Sequence, residues 1–335
     1  MKRLLYTLGM AVSTALAMTG CQSLTDPNDF CYAPNGNADS TATEYVMRPT
    51  MISLSGDEGK GQRTKTTKFY YDREGKLTKS VFTYHRAYAP DNDEVDTVNY
   101  TWEGQTITNS DAVQHAVSRD GLVTMTQTDD GSSYNYSYNH VNDASYLRET
   151  TRHDGSQTYA IKYEWKDDYM SALKIVKIDS NDKYYYYDYS DGFQATDGWS
   201  PMWMRYIEEV AEEDELCMIY PEMFGLLTKR LPNTEECEET SETSNYIESI
   251  GQTQNIRTVT NTKTTYIYEF GTDGCIAGGN VETTVTVTND YNFYDINGDG
   301  IITSNEYNYR NTYEAVYTDR YTVTWEKMPK LVWTR

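Results

Sequence analysis

The stretch "YYDREGKLTKS", residues 70–80, reads as two strand ends joined by a turn. Tyrosine before it and Leu-Thr-Lys-Ser after it suit a half-buried pleated surface, and Asp-Arg-Glu-Gly between them is turn chemistry. The arrangement returns in "YEFGTDGCIAG" (268–278), where Phe270 matches Tyr71, Gly274 matches Gly75 and Ile276 matches Leu77. A looser copy, "YEWKDDYMSALKI" (163–175), keeps the aromatic strand end and the apolar return but not the glycine. Each unit places an apolar residue directly after its turn, facing inward. A unit that cannot bury this face alone has to stack on its neighbours.

Working outward, "YNYSYNH" (134–140), "YYYYDYSDG" (184–192) and "TTVTVTND" (283–290) alternate with period two. That period, in segments rich in Thr, Tyr and Val, belongs to strands. Asp-Gly pairs at 120–121, 130–131, 154–155, 191–192 and 273–274 punctuate them, each read as a tight type I′ hairpin turn. One segment departs from the pattern. In "DGWSPMWMRYIEEVAEEDELCMIYPEMFGLLTKRLP" (197–232), Ser200 and Pro201 open a helix whose apolar face holds Trp203, Ile207, Val210 and Cys217, with glutamates opposite. "NTEECEETSETSN" (233–245) is acidic and Ser/Thr-rich and reads as an exposed linker. The expected fold is mainly β: a long antiparallel meander forming a curved open sheet or partial barrel around one amphipathic helix. It occupies residues 45–335 as one domain, with the helical insert at about 199–231.

The chain opens with Lys2 and Arg3 followed by "LLYTLGMAVSTALAMTG" and Cys21, the order of an export signal too short to span a membrane. The closing "AMTGC" resembles a bacterial lipobox, with Thr19 and Gly20 before a lipid-accepting Cys21. Residues 1–20 are thus read as a lipoprotein signal and 21–44 as a polar tether. The expected location is exported and lipid-anchored, at the outer membrane, on its periplasmic or cell-surface face. Net charge is -22, which repels phosphate backbones and excludes nucleic acid as a partner. Of the five cysteines, Cys31, Cys217, Cys237 and Cys275 remain beside Cys21. They allow two disulfides in three connectivities, or buried thiols.

The "YD-x-x-G-x-L-T" unit at 71–78 is similar to the tyrosine-aspartate repeats of β-rich surface proteins. Hairpins of this kind, a helical insert, "FGLLTKRLPN" (224–233) and then more hairpins resemble a Bacteroidales lipoprotein family catalogued as a domain of unknown function. The resemblance covers roughly residues 60–335. It implies an antiparallel β architecture on an exported lipoprotein, no established activity, and a porphyrin-like ligand.

"FYDINGDGIITSNEYNY" (293–309) departs from that family. Asp295, Asn297 and Asp299 fill positions 1, 3 and 5 of an EF-hand-type loop, and Gly300 makes the turn at 6. Ile301 offers its carbonyl at 7, Thr303 stands at 9 and Glu306 at 12 is the bidentate carboxylate. Calcium takes six to eight oxygens, and this spacing curls them round one point. The flanks alternate like strands, so the expected role is a Ca²⁺ staple at a hairpin tip, in contrast to a helix-opening switch.

Catalytic patterns are missing. His85, His115, His140 and His153 are scattered, no G-x-S-x-G elbow occurs, and "GDEGKG" (56–61) lacks the P-loop ending. The 32 tyrosines against 7 phenylalanines are read as covering a sheet wet on one side, with a stacking platform for sugars or a flat ring as the alternative. The tryptophans at 102, 165, 199, 203, 325 and 333 are read as core or helix-packing residues. The functional expectation is a non-enzymatic, membrane-anchored binding protein with a glycan or porphyrin-like ligand. Its rivals are a periplasmic carrier of a hydrophobic or porphyrin-like molecule, and an adhesive partner-binding protein.

Overall fold

The computed structural model describes residues 44–57, 61–90, 93–141, 144–155, 157–166, 169–177, 183–189, 201, 216–226, 230–247, 252–293 and 309–333. These hold β1 (Tyr45–Asp57), β2 (Gln62–Tyr71), β3 (Leu77–Arg86), β4 (Glu94–Glu103), β5 (Thr106–Asn109) and β6 (Gln114–Val117). Next come β7 (Val123–Gln127), β8 (Ser133–Val141), β9 (Ala144–Asp154), β10 (Gln157–Lys166), β11 (Tyr169–Lys177) and β12 (Lys183–Asp188). A short helix α1 (Leu216–Ile219) and a 3-10 turn (Pro221–Phe224) precede β13 (Thr234–Ile247), β14 (Gln252–Phe270), β15 (Ile276–Phe293) and β16 (Tyr309–Pro329). Every strand pairs antiparallel with its neighbours in sequence, and β16 returns to β1 from Tyr45↔Pro329 to Ser55↔Arg320. The result is a closed barrel, not an open sheet or partial barrel around an amphipathic helix. Closure removes the two edges that an open meander would leave unpaired. Residues 202–215, most of the expected helix, lie outside the described residues.

The hairpin turns share one construction. In 72–76, 118–122, 128–132 and 271–275, the first residue's N–H donates to the fifth residue's carbonyl, and the glycine N–H donates to the first residue's carbonyl. The glycine sits at φ between 79° and 85° in all four, while the aspartates before Gly121, Gly131 and Gly274 keep negative φ. This corrects the type I′ expectation for these Asp-Gly pairs: one positive φ, not two, marks a type I turn closed by a left-handed glycine. The turn at 109–113 has the same two bonds with Ala112 at φ 59° in the glycine's place.

Call the rim carrying Tyr45 and Pro329 proximal, and the other distal. Register slips by one residue at Pro49/Met51, Tyr70/Tyr71, Ala116/Val117, Ser137/Tyr138, Glu164/Trp165 and Glu269/Phe270, all toward the proximal rim. Such bulges bend and twist strands. The apolar residues after the turns behave as the sequence indicates, with Leu77 at 0% and Ile276 at 3% exposure. Burying each contributes on the order of 1.5–3 kcal/mol.

Tryptophan indoles then lock this rim with a period of six strands. Trp102 on β4 donates to Leu77 O on β3 at 2.8 Å, Trp165 on β10 to Leu147 O on β9 at 2.7 Å, and Trp325 on β16 to Ile276 O on β15 at 2.7 Å. Tyrosine hydroxyls repeat with the same period. Tyr71 (β2) donates to Pro49 O (β1), Tyr138 (β8) to Val123 O (β7), and Tyr268 (β14) to Pro232 O just before β13. The repeat noticed at 70–80 and 268–278 is therefore part of a larger structural one, whose last copy stops at β16 and closes on β1.

Two other expectations change. The acidic segment 233–245 is not a linker: Thr234–Ile247 is a strand paired with β14 along its whole length. Many tyrosines do not coat a wet face but fill the lumen, among them Tyr84, Tyr100, Tyr134, Tyr163, Tyr185, Tyr266 and Tyr321. Tyrosine serves there because its ring buries while its hydroxyl finds a partner.

Candidate functional site

Three features could do work: the lumen, the outer wall and the extension of β13–β16. The proximal lumen is filled by the chain's own segment 216–226. Leu216, Cys217, Met218, Ile219, Tyr220 and Leu226 are all at most 2% exposed. Arg48 of β1 holds this segment: its guanidinium donates to Ile219 O at 2.9 Å, forms an ion pair with Glu222, and lies 4.6 Å from the centroid of the Tyr220 ring. Burial penalises the Arg48 charge, yet Glu222 beside it leaves the pKa above its ordinary value. Tyr220 donates to Gly75 O at 2.8 Å and accepts from Leu77 N at 2.7 Å, so it stitches the segment to the first YD-type turn. Leu147 N donates to Gly225 O at 2.9 Å. Phe224 meets His115 and Tyr136 edge-on. Gly225, in the left-handed region at φ 62°, lies where a Cβ would be 2.8 Å from Leu147 N. The contacts reach strands from β1 to β9, so the segment bridges the lumen from wall to wall.

Toward the distal rim the lumen turns polar. Arg63 reaches Asp319 at 3.6 Å across β1, where its paired residue Gly56 has no side chain to intervene. The Lys65 ammonium lies 4.9 Å over the Tyr84 ring, Arg152 lies 5.2 Å over Tyr134, and His115 Nδ1 is 2.8 Å from Thr126 Oγ1. The carboxylate and ring partners of Arg63, Lys65 and Arg152 keep these buried cations compatible with folding.

The outer wall is the reverse of a lipid-facing one. On β2, Arg63, Lys65, Thr67 and Phe69 point in and are buried, while Thr64, Thr66 and Lys68 point out. Outward positions elsewhere carry Thr97 and Asn99 on β4, Glu149 and Thr151 on β9, Lys162 and Glu164 on β10, Lys174 on β11, Glu236 and Glu238 on β13, and Lys263 on β14. Exposed apolar side chains on this face, such as Val95, Tyr186 and Ile267, are scattered singly. A spanning barrel needs an apolar belt about 25 Å tall, and each Lys or Arg at mid-membrane costs roughly 2–4 kcal/mol. An open groove over the β1 bulge, between Met51, Tyr70 and Met328, is rimmed by Lys68 and Arg73 against Asp72 and Glu326. Its mixed charges favour no one ligand.

The third feature is the extension. β12 stops pairing with β13 at Tyr184↔Glu238, and β1 stops pairing with β16 at Ser55↔Arg320. Beyond those points β13–β16 continue alone as a four-stranded sheet past the distal rim, with unbroken pairing from Thr234↔Thr265 to Ile247↔Gln252 and from Gly278↔Thr322 to Tyr291↔Tyr309. Continuous register carries the lumen-facing side of these strands straight onto one face of the extension.

Asp295, Asn297, Asp299, Ile301, Thr303 and Glu306 lie outside the described residues, as do Cys21 and Cys31. Their flanks do not: β15 runs to Phe293 and β16 starts at Tyr309, so the loop joins two strands at the tip of the extension. Cys217 and Cys237 are buried thiols, and Cys275 is in a disulfide whose partner lies outside the described residues. His85, His115, His140 and His153 stay apart. Each bonds a local side chain, in turn Asp93, Thr126, Ser145 and Thr158. Sequence reading missed Arg48, Tyr220 and Glu222. One signal was available, since Arg48 is the one charged residue within the apolar and small-residue run 45–56.

Closed pairing and strand-to-strand succession define an up-and-down antiparallel β-barrel. A porin-like protein from Bacteroides uniformis ATCC 8492 is similar, with TM-score 0.53 and 16% identity over 82% of this chain and 98% of that one. A porin-like protein from Bacteroides vulgatus ATCC 8482 gives TM-score 0.40 and 12% identity over 83% and 98%. No family model and no curated protein matches the chain. At this identity the first likeness speaks for the fold.

Proposed function

We propose that the chain is an exported binding protein without catalytic chemistry, held to a membrane by lipid on Cys21, with its barrel standing in water beside the bilayer. The outer wall carries this reading: charged and hydroxyl side chains ring the barrel where a spanning protein has its apolar belt. Lipid at Cys21 would then be the sole attachment, and acyl chains hold at about 0.8 kcal/mol per buried methylene. Filling of the lumen by segment 216–226 argues against a carrier that encloses a porphyrin or other hydrophobic ligand at that level.

Cys21→Ser is expected to move the protein from the membrane pellet to the soluble fraction without detergent. Retention of the variant in membranes after a high-salt wash would mean that the wall itself contacts lipid. The disulfide sharpens the test. If Cys21 carries lipid, Cys31 is the partner left for the bond at Cys275. Non-reducing peptide mapping is expected to find Cys31 linked to Cys275, whereas a Cys21–Cys275 link would rule out acylation at Cys21.

Calcium belongs to the same reading, with Asp295, Asn297, Asp299, the Ile301 carbonyl, Thr303 and Glu306 as ligands. Carboxylates, an amide and a glycine at the sixth position form a donor set suited to Ca²⁺. For affinities of order 10⁻⁴–10⁻³ M, 10 mM calcium stabilises a folded site by about 1–3 kcal/mol. Thermal melts are expected to rise by that equivalent over EDTA, and Asp299→Ala is expected to abolish the difference. Identical melts with and without calcium would leave the loop a plain turn.

A further inference from the structure

Charge is distributed unevenly on the two faces of the β13–β16 extension. On the outward face stand Glu242, Arg257, Asp290, Arg310 and Glu314. The opposite face continues the lumen wall. Glu239 and Asp319 stand at its base, paired with Lys183 and Arg63 of the barrel, and beyond them, across Ser241–Asn245, Gln254–Thr262, Val285–Tyr291 and Asn311–Tyr317, its positions carry no charge. Charged residues make up 24% of the chain, so a surface this broad without one is a pronounced departure. In place of charge there are hydroxyls, amides and aromatic rings. Tyr313 and Tyr317 are 54% and 48% exposed. Four residues apart on one strand, they stand about 13 Å from each other on the same face. Asn311 lies beside Tyr313 along β16, and Thr258 on β14 donates to Asn289 on β15 at 2.7 Å, directly across the sheet from Asn311.

We propose that this charge-free face binds a neutral glycan, the two tyrosines stacking on sugar rings while the asparagines and threonines meet its hydroxyls. The inference deepens the reading of the protein as an exported binding protein and rests on it. Electrostatics select the ligand class. A chain with net charge -22 repels acidic polysaccharides and phosphate polymers, and a face without cations offers them nothing specific. A basic partner would be drawn to the outward face, with its carboxylates, and not to this one. An uncharged polymer loses nothing on this face: its hydroxyls exchange water for amide and hydroxyl partners, and its apolar ring faces cover exposed tyrosine. Strand-borne tyrosines also keep their spacing fixed, so little order has to be gained on binding.

The test uses the full exported chain in native gels containing starch, a mixed-linkage β-glucan, a mannan or a galactan, with polygalacturonate as the acidic control. At least one neutral polymer is expected to retard the protein, and polygalacturonate is not. Tyr313→Ala and Tyr317→Ala are each expected to weaken retention about tenfold, while Val316→Ala, on the outward face of the same strand, is expected to leave it unchanged. Unaltered circular dichroism would show that the variants remain folded. The proposal is overturned by no retardation in any neutral polymer, by both tyrosine variants being retarded as strongly as the parent protein, or by binding to polygalacturonate alone. A dimer in sedimentation that dissociates in the tyrosine variants would assign the face to a second copy of the chain instead. Membrane release by Cys21→Ser is read separately, so loss of the glycan leaves the anchoring result standing.

Discussion

Raising the pH above about 10 is expected to unfold this barrel within one to two pH units, because its interior is built on neutral tyrosines. Burial holds the hydroxyls of Tyr189, Tyr220 and Tyr321 far above the ordinary tyrosine range; Tyr169 reinforces this at Tyr189 and Glu269 at Tyr321, while Arg48 offsets part of it at Tyr220. Each is also a donor, Tyr189 to Met170 O at 2.6 Å, Tyr220 to Gly75 O, and Tyr321 to Ile267 O at 3.1 Å, a role that a phenolate cannot fill. The sign follows from proton counting. In the unfolded chain a tyrosine ionises near pH 10, whereas the buried ones stay protonated, so above pH 10 the folded state holds more protons and its stability falls. The contribution is fully present below pH 10. Three such groups give a slope of about 4 kcal/mol per pH unit, against total stabilities of about 5–15 kcal/mol. Tyr71, Tyr138 and Tyr187 are shifted in the same direction, with smaller shares where their rings meet solvent. Absorbance at 295 nm and far-ultraviolet circular dichroism check this together. The interior tyrosines should ionise only as the β signal collapses. Titration of every tyrosine near pH 10 with the β signal intact would refute the interior assignment.

The second large effect is expected at Arg48. Arg48→Ala removes both partners of the inner segment at once, the donor to Ile219 O and the cation paired with Glu222, and leaves a void against Tyr220. Breaking a buried ion pair from one side costs about 3–5 kcal/mol, because the remaining group is left uncompensated. Here the Glu222 side chain is 36% exposed, so solvent relieves part of its charge and the lower end of that range applies. Arg48→Lys should fall between the two, keeping the charge but not the fork that serves Ile219 and Glu222 together. Urea unfolding gives the magnitude. Limited proteolysis separates the causes, since a segment released from the lumen is cut before the wall unfolds. An Arg48→Ala protein within 1 kcal/mol of its parent, with unchanged proteolysis, would mean that Tyr220 and the apolar contacts of the segment suffice without the ion pair.

What the amino-acid sequence determined by itself is local. Alternating Thr, Tyr and Val set the strands, Gly75, Gly121, Gly131 and Gly274 set the turns, and Leu77 and Ile276 were legible as inward residues because each follows its turn at a fixed offset. Even the strands flanking residues 294–308 could be read, since period two needs only neighbouring residues. The tertiary structure decided everything that depends on residues far apart in the chain. Closure pairs Tyr45 with Pro329, and no local pattern records which strand meets which edge. Only closure gives the wall an inside, and so decides that Tyr321 is core while Tyr313, on the same face of the same strand, is exposed beyond the rim. The acidic run 233–245 looked like a linker because its propensities are poor for a strand, yet β14 supplied a complete pairing partner and the ladder outweighed propensity. Arg48 appeared as a charge misplaced in an apolar strand until Ile219 and Glu222 were brought against it from the far half of the chain. The charge-free face was spread over four separate strands, and only their register assembled it into one surface.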